Sequence, residues 1–214
     1  MSKVEPGTFI SFDSVISDPD VSSYWSFKEL ISNKSIQENS QSLAFYEKKL
    51  EEVLSTVVCS QMLSDVPIGS FLSGGIDSSL VTMLMQRMSS MPIQTFSIGF
   101  KEDQFNESKY AAEISEFLST NHTEFIVSES DILDIIPNLA KIYDEPFADS
   151  SQLPTILLSK LARKKVTVAL TGDGGDEIFG GYNRHIFGPK LWRVLSLCPS
   201  WTKLLLAKII TISN

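Results

Sequence analysis

Two adjacent glycines stand where a short apolar segment gives way to a helical pattern, and this junction limits the folds open to the chain. The apolar segment ends at Phe71-Leu72, the glycines are Gly74 and Gly75, and a helix is predicted to begin near Asp77. A strand that passes through a glycine turn into a helix is the first half of a βαβ unit. The junction therefore predicts an α/β fold.

The same alternation of helical and strand patterns continues along the chain. Helices are predicted at 43–62, 107–118, 131–142 and 152–164. Further strands are predicted at 95–100, 124–127 and 166–170. Strands separated by helices indicate a doubly wound, mostly parallel sheet, which binds its ligands beyond the carboxyl ends of the strands.

Composition limits the partners and the compartment. The 214 residues are 43% hydrophobic, enough for one substantial core, and the net charge of −8 argues against a nucleic-acid partner. The sequence has neither a secretory signal nor the roughly 18 consecutive apolar residues of a membrane span. Cys59 and Cys198 form neither a disulfide framework nor a zinc pattern, and both are expected to be inert buried thiols. We expect a cytoplasmic protein.

The glycine junction reads Ser73-Gly-Gly-Ile-Asp-Ser-Ser79 and is suited to binding an anion. Glycines let backbone N–H groups approach phosphate closely, and a helix N-terminus adds a favourable dipole. The serines, Ser78 among them, add hydroxyl donors, while Asp77 would repel bare phosphate and therefore predicts a magnesium ion between the two. The alternative is a plain glycine turn in which Asp77 or Ser78 caps the helix.

This loop is not a Walker-type nucleotide loop. Gly69 and Gly74 have the Walker spacing, but Gly75 occupies the position of the required lysine. Without that lysine no side chain reaches a transferring γ-phosphate, so kinase and GTPase chemistry is disfavoured.

A second glycine-rich segment, Thr171 to Glu177, follows the strand predicted at 166–170. Asp173, Asp176 and Glu177 lie within five residues and would repel one another unless a cation were bound. The EF-hand pattern does not fit, and a solvated acidic turn is the alternative. Because both loops would project from the same strand ends, they are expected to form one site.

The first loop resembles that of the PP-loop pyrophosphatase families, which cleave ATP between its α and β phosphates. With the second loop, the resemblance narrows to the glutamine-hydrolysing asparagine synthetases. It extends from Val66 to Arg184 through Thr95–Phe100, Asn121–Thr123 and Tyr143–Gln152.

The resemblance implies a role for each residue of the two loops. The residues implied to line adenosine are Leu72, Ile98, Thr171 and Gly172. Those implied to bind pyrophosphate are Ser73, Gly74, Gly75, Asp77, Ser78 and Ser79. Asp77 and Asp176 are implied to bind Mg²⁺. Asp173 takes the position of an acidic residue that is important for forming the β-aspartyl-adenylate, where some relatives carry glutamate.

The implied reaction is ATP-dependent amide synthesis, in which the side-chain carboxylate of aspartate is adenylated and then attacked by ammonia to give asparagine, AMP and pyrophosphate. The ammonia would come from glutamine through a missing or separate amidotransferase domain. Two alternatives remain: a related adenylating enzyme of the β-lactam synthetase or surface-polysaccharide type, and an inactive nucleotide-binding fragment. A homodimer is left open.

The resemblance also implies a chain that is truncated at both ends. Residues 1–40 are expected to be a remnant of the amidotransferase domain and a linker, and residues 41–214 the N-terminal part of the synthetase domain. The nucleophilic N-terminal cysteine is absent, and a lysine that stabilises the adenylate would lie beyond Asn214. An apolar helix over 204–212 is expected to be uncovered. His122 and His185 lack a second ligand at metal spacing and are expected to be structural.

Overall fold

The structure is a computed structural model that describes residues 3–14, 18–33, 41–100, 108–146, 148–149, 151–200, 202–204 and 207–208. Contacts within the chain group it into two units, Met1–Lys49 and Leu50–Asn214. In the first unit, β1 (Thr8–Ser11) pairs in antiparallel fashion with β2 (Asp20–Ser23). Helix α1 (Phe27–Asn33) follows, and the division between the units falls within α2 (Leu43–Gln61).

The second unit is built on a four-stranded parallel sheet. Its strands are β3 (Ile68–Phe71), β4 (Gln94–Phe100), β5 (Asn121–Val127) and β6 (Val168–Leu170). Their order across the sheet is β5-β4-β3-β6, and all neighbouring pairs are parallel. The predicted parallel α/β sheet is confirmed.

Helices cover both faces of this sheet, so it is doubly wound as predicted. On β3, Ser70 points to α3 (Ile76–Met88), where its Oγ lies 2.9 Å from Thr82 Oγ1. The next residue, Phe71, points to the opposite face and packs against the cluster that contains Leu158 of α7 (Gln152–Ala162).

Each face has its own apolar cluster. Beneath α2 and α3 the buried residues are Val58, Leu84, Met85, Ile93 and Leu170. On the opposite face they are Phe96, Ala162 and Val166. Burial of apolar side chains at about 25 cal/mol per Å² makes these clusters the main source of stability, and they hold β3 and β6 side by side.

The helix predicted over 131–142 is wrong as a single element. The segment forms α5 (Glu129–Leu133), a 3-10 turn (Ile136–Asn138) and α6 (Leu139–Ile142). Pro137 has no N–H to continue the hydrogen-bond ladder of α5 and is tolerated only at the start of a new turn. The predicted strand over 124–127 begins earlier, at Asn121, because Asn121 pairs with Gln94 of β4.

The remaining helices are α4 (Ser108–Leu118), α8 (Gly175–Phe179) and α9 (Asn183–Ser196). Of the apolar helix predicted over 204–212, Leu204 is helical and exposed, whereas 205–206 and 209–212 lie outside the described residues. In the part of the chain that the structure describes, no helix is both long enough and apolar enough to cross a bilayer.

The prediction that both cysteines are buried is wrong. Cys59 is exposed, and Cys198 is partly exposed. The inward face of α2 carries Leu54 and Val58, four residues apart, and this spacing leaves Cys59 on the outer side of the helix.

Candidate functional site

Both glycine-rich loops emerge at the carboxyl ends of two neighbouring strands, β3 and β6. β4, the strand that follows β3 in the sequence, pairs with one edge of β3, and β6 pairs with its other edge. A topological switch point therefore lies between β3 and β6. Ligands of doubly wound sheets bind at such points. A cleft of about 1540 Å³ opens there, and all of the predicted site residues except Gly74 and Ser79 line it.

The first loop holds its shape through its own hydroxyl groups. The N–H of Ser73 donates to Ser78 Oγ (3.2 Å), and the N–H of Gly75 donates to Ser73 Oγ (3.3 Å). The hydroxyls of Ser78 and Ser79 donate to the carbonyl of Gly75, at 3.3 and 2.6 Å, and Ser73 Oγ lies 2.9 Å from Ser78 Oγ. These bonds leave the backbone N–H groups at the start of α3, rather than the serine hydroxyls, as the main donors to a ligand.

Gly74 lets the first loop pack closely against α4. Its φ is +83°, a left-handed conformation that costs other residues about 1–2 kcal/mol. A Cβ on Gly74 would also come within 2.6 Å of Tyr110 Cβ. Glycine is therefore required at this position both by the backbone conformation and by the space available.

The N-terminus of α3 is open to the cleft. Gly75 is its N-cap, in an extended conformation, and no side chain caps the first turn. Ile76, Asp77 and Ser78 of that turn line the cleft. Uncapped N–H groups at the start of a 13-residue helix form a site for phosphate oxygens.

The second loop touches the first through two glycines. A Cβ on Gly172 would lie 2.5 Å from the backbone N of Ser78, and a Cβ on Gly175 would lie 2.5 Å from Asp77 Cγ. Because only glycine permits these approaches, the backbone of the acidic loop lies directly against the start of α3. The structure thus brings the two loops together, as expected from their positions after neighbouring strands.

Some acidic side chains of the two loops accept a hydrogen bond from a hydroxyl group, and others do not. Thr171 Oγ1 donates to Asp173 Oδ2 at 2.9 Å, and the hydroxyl of Tyr182 donates to Glu177. No described residue donates a hydrogen bond to the carboxylates of Asp77 or Asp176. These two carboxylates therefore keep their lone pairs for another partner.

A magnesium ion fits these two open carboxylates. The Asp77 carboxylate lies against Gly175, the Asp176 carboxylate lies against Gly181, and both aspartates line the cleft. No cluster of three or more metal-binding side chains is found within the described ranges. Mg²⁺ usually takes one or two carboxylates together with phosphate oxygens and water, so a pair of aspartates suits it when a nucleotide supplies the other ligands.

The charge of the cleft also favours a cation. Its described lining contains five carboxylates and no lysine or arginine: Asp77, Asp149, Asp173, Asp176 and Glu177. A nucleotide triphosphate would be repelled by this set unless a metal ion and the α3 N-terminus offset the charge.

Three interactions of residues that line the cleft were not predicted from the sequence. Asp149 Oδ1 accepts hydrogen bonds from the N–H and the hydroxyl of Ser151, at 2.8 and 2.7 Å, and these bonds lower its pKa. The bond from Tyr182 lowers the pKa of Glu177 and raises that of Tyr182 itself. The Arg184 guanidinium lies 4.1 Å from the centre of the Tyr182 ring, so it stacks on that ring.

Phe147 and Ser150, within the segment that carried the resemblance, lie outside the described residues.

The adenosine-lining residues implied by the resemblance lie within β4 or directly after β3 and β6. Leu72 is 1% exposed, and its N–H donates to the carbonyl of Phe96 at 2.8 Å. Ile98 packs against a further apolar cluster formed by Val127, Ile135 and Leu157. Leu72 and Ile98 line the same cleft as Thr171 and Gly172.

The two histidines have different surroundings. His185 stacks edge-on against Tyr182, with ring centroids 5.7 Å apart. His122 hydrogen-bonds to Thr95 and Ser97 of β4, and burial lowers its pKa.

Comparison of the sequence with known proteins points to one family. The sequence profile of the family named asparagine synthase matches residues 49–211. A putative asparagine synthetase (glutamine-hydrolyzing) 2 of Methanocaldococcus jannaschii is 44% identical over 152 residues, which is 68% of this chain and 29% of that protein. Asparagine synthetase (glutamine-hydrolyzing) 1 of Bacillus subtilis is 35% identical over 183 residues, which is 86% of this chain and 28% of that protein.

The matched part of the chain thus spans less than a third of the length of these relatives. Among solved structures, an NH3-dependent NAD synthetase from Campylobacter jejuni aligns with a TM-score of 0.45 at 18% identity, over 64% of this chain and 60% of that one. This likeness is too remote to add to the argument.

Proposed function

The chain belongs to the asparagine synthase family, and from this premise we propose that it is part of a ligase that adenylates the side-chain carboxylate of aspartate and transfers it to ammonia. The products would be asparagine, AMP and pyrophosphate. The observation that carries the proposal is the contact between the two loops at Gly172 and Gly175, because it places an uncapped helix N-terminus beside two open carboxylates.

The first loop would bind the pyrophosphate portion of ATP. The first turn of α3 lines the cleft, and its uncapped backbone N–H groups carry the positive end of the helix dipole. Asp77 and Asp176 would hold Mg²⁺, which when bound offsets the charge of the phosphates and of the leaving pyrophosphate. Leu72 and Ile98 would line the adenosine.

The proposed chemistry has two displacement steps. An oxygen of the aspartate side chain attacks the α-phosphorus of ATP, and the bond from that phosphorus to the oxygen bridging to the β-phosphate breaks. Pyrophosphate leaves with the electron pair. Ammonia then attacks the acyl carbon, AMP leaves, and a proton is lost from nitrogen. The protein contributes positioning and charge stabilisation.

Asp173 is the residue to which we assign a catalytic role, in the formation of the adenylate. It lies in the cleft, and the hydrogen bond from Thr171 sets the direction of its carboxylate. Its position one residue after Gly172 puts it beside the loop contact.

Our proposal for the domains assigns residues 1–40 to the end of an amidotransferase domain and a linker, and residues 41–214 to the synthetase domain. The grouping of contacts into Met1–Lys49 and Leu50–Asn214 supports a boundary in this region. Glutamine is the proposed source of ammonia, because the relatives are named as glutamine-hydrolyzing. We propose a cytoplasmic location, where ATP is available.

Exchange of labelled pyrophosphate into ATP tests this function. The 214-residue chain should catalyse exchange that requires Mg²⁺ and is stimulated by aspartate. Stimulation by another carboxylate, such as a β-lactam precursor, in place of aspartate would show that the adenylation is correct but the acceptor is not. Failure to bind Mg-ATP would contradict the proposal.

A further inference from the structure

A row of polar side chains crosses α4, β5 and β4 and ends at the cleft. Thr120 Oγ1 donates to Ser115 Oγ at 3.0 Å, and Thr120 Oγ1 lies 2.9 Å from Thr95 Oγ1. Thr95 Oγ1 lies 2.9 Å from His122 Nδ1, and His122 Nε2 lies 3.1 Å from Ser97 Oγ. Ser97 is the member of the row that lines the cleft.

The direction of each hydrogen bond follows from the number of protons available. The single hydroxyl proton of Thr120 goes to Ser115, so Thr120 must accept from Thr95. The single proton of Thr95 is then used, so His122 Nδ1–H must donate to Thr95 Oγ1. A neutral imidazole has one N–H, so Nε2 must accept the hydroxyl proton of Ser97.

His122 is neutral around pH 7 in these surroundings. Burial lowers its pKa below the ordinary value of 6.5, and this effect is larger than the opposing effect of Glu124. The other described partners of the ring, Thr95 and Ser97, are uncharged hydroxyl side chains that are almost fully buried.

The row leaves Ser97 with lone pairs but no proton to donate. Ser97 is 2% exposed, lies at the floor of the cleft, and accepts no hydrogen bond from a described residue. Ser97 Oγ is already paired with His122, and its remaining lone pairs can accept one further hydrogen bond from a ligand donor, which is worth about 0.5–1.5 kcal/mol.

We propose that Ser97 Oγ accepts a hydrogen bond from the nucleoside part of ATP, and that His122 is a positioning residue that holds the Ser97 hydroxyl in the accepting orientation. This inference rests on the proposed binding of ATP in the cleft. The phosphate oxygens of ATP are acceptors only, so the donors that the nucleotide itself offers to Ser97 are the 6-amino group of adenine and the ribose hydroxyls. Ser97 adjoins Ile98, which lines the same cleft.

The test measures dissociation constants by calorimetry for Mg-ATP and three analogues, which lack the 6-amino group, the 2′-hydroxyl or the 3′-hydroxyl. The wild-type chain should bind one of the three about fivefold more weakly than ATP, as expected for one hydrogen bond. The analogue affected identifies the donor. In Ser97→Ala, ATP binding should weaken by the same factor, and that analogue should bind no worse than ATP.

Two further variants separate this role from a structural one. His122→Leu removes the acceptor of the Ser97 proton, and it should also abolish the difference between ATP and the analogue. Ser70→Ala is the matched control, because Ser70 is equally buried and hydrogen-bonded to Thr82 but does not line the cleft. It should keep the wild-type preference.

The outcomes distinguish this inference from the proposed function. If the wild-type chain binds Mg-ATP and Ser97→Ala keeps the wild-type pattern with all three analogues, the inference is overturned and ATP binding stands. If the wild-type chain does not bind Mg-ATP, both fail. An equal loss of preference in Ser70→Ala would show that the effect is structural, which also contradicts the inference.

Discussion

The carboxylate of Asp77 lies directly against the backbone of Gly175, where a Cβ would come within 2.5 Å of the carboxylate carbon. This contact joins two loops that are nearly 100 residues apart in the sequence and follow neighbouring strands, β3 and β6. Asp77, a candidate magnesium ligand in the first loop, can take this position only because Gly175 in the second loop has no side chain.

Replacing Gly175 with alanine should therefore weaken the binding of Mg-ATP. The added Cβ would displace the Asp77 carboxylate, and loss of a charged interaction of this kind costs roughly 1.5–3 kcal/mol, or about 10- to 100-fold in the dissociation constant. Calorimetry measures the effect. Gly188→Ala is the control, since a Cβ there meets nothing within 4 Å, and unchanged binding in both variants would count against the contact.

Two glycines with positive φ should differ in their cost to stability. Gly74→Ala combines a left-handed backbone with a clash against Tyr110, whereas Gly174→Ala has the same backbone strain in open space. Strain alone costs about 1–2 kcal/mol, and overpacking adds about 1–3 kcal/mol. Urea unfolding should show the larger loss for Gly74→Ala, and equal losses would mean that the loop does not pack on α4.

The fold was largely predictable because its signals are local. The double glycine after Phe71 and the acidic loop after Leu170 marked the strand ends, and the alternating patterns indicated a parallel sheet. The break at Pro137 was missed because apolar spacing continues across it. Asn121 carries no strand signal of its own and is extended only because it pairs with Gln94.

Contacts between distant side chains were not predictable from the sequence. Nothing in the spacing of Thr95 and His122 shows that they meet across β4 and β5, since that depends on the register of the strands. The bond between Tyr182 and Glu177 likewise requires the turn at Gly180, where φ is +68°. The sequence was enough to place the two loops at one site. It did not show which acidic side chains accept hydrogen bonds from hydroxyl groups.

Removing the hydroxyl of Thr171 should slow adenylation while leaving ATP binding nearly unchanged. Thr171→Val keeps the side-chain shape but removes the hydrogen bond that orients Asp173. A hydrogen bond of this kind is worth about 0.5–1.5 kcal/mol, so pyrophosphate exchange should fall about two- to tenfold. Exchange at the wild-type rate would show that Thr171 does not orient a catalytic group.

The stability of the chain should depend on pH through His122. Burial lowers its pKa from 6.5, so the unfolded chain binds the proton first as the pH falls. The stability that neutral His122 provides is present above pH 6.5 and is lost as the pH drops through its lower folded pKa. Urea unfolding at pH 7.5 and 5.5 should show a smaller decrease for His122→Gln than for wild type. His185→Gln is the control, and a decrease of wild-type size in His122→Gln would contradict the assignment.

The most direct test of the two-loop site is nucleotide binding by Asp77→Asn, measured with and without Mg²⁺. Asp77 accepts no hydrogen bond from a described residue, so the variant should unfold in urea like the wild type. We expect Mg-ATP to bind about 10- to 100-fold more weakly to the variant. Metal-free ATP should bind at least as well to the variant as to the wild type, because a repelling charge has gone. Equal affinity of the two proteins for Mg-ATP would contradict the account.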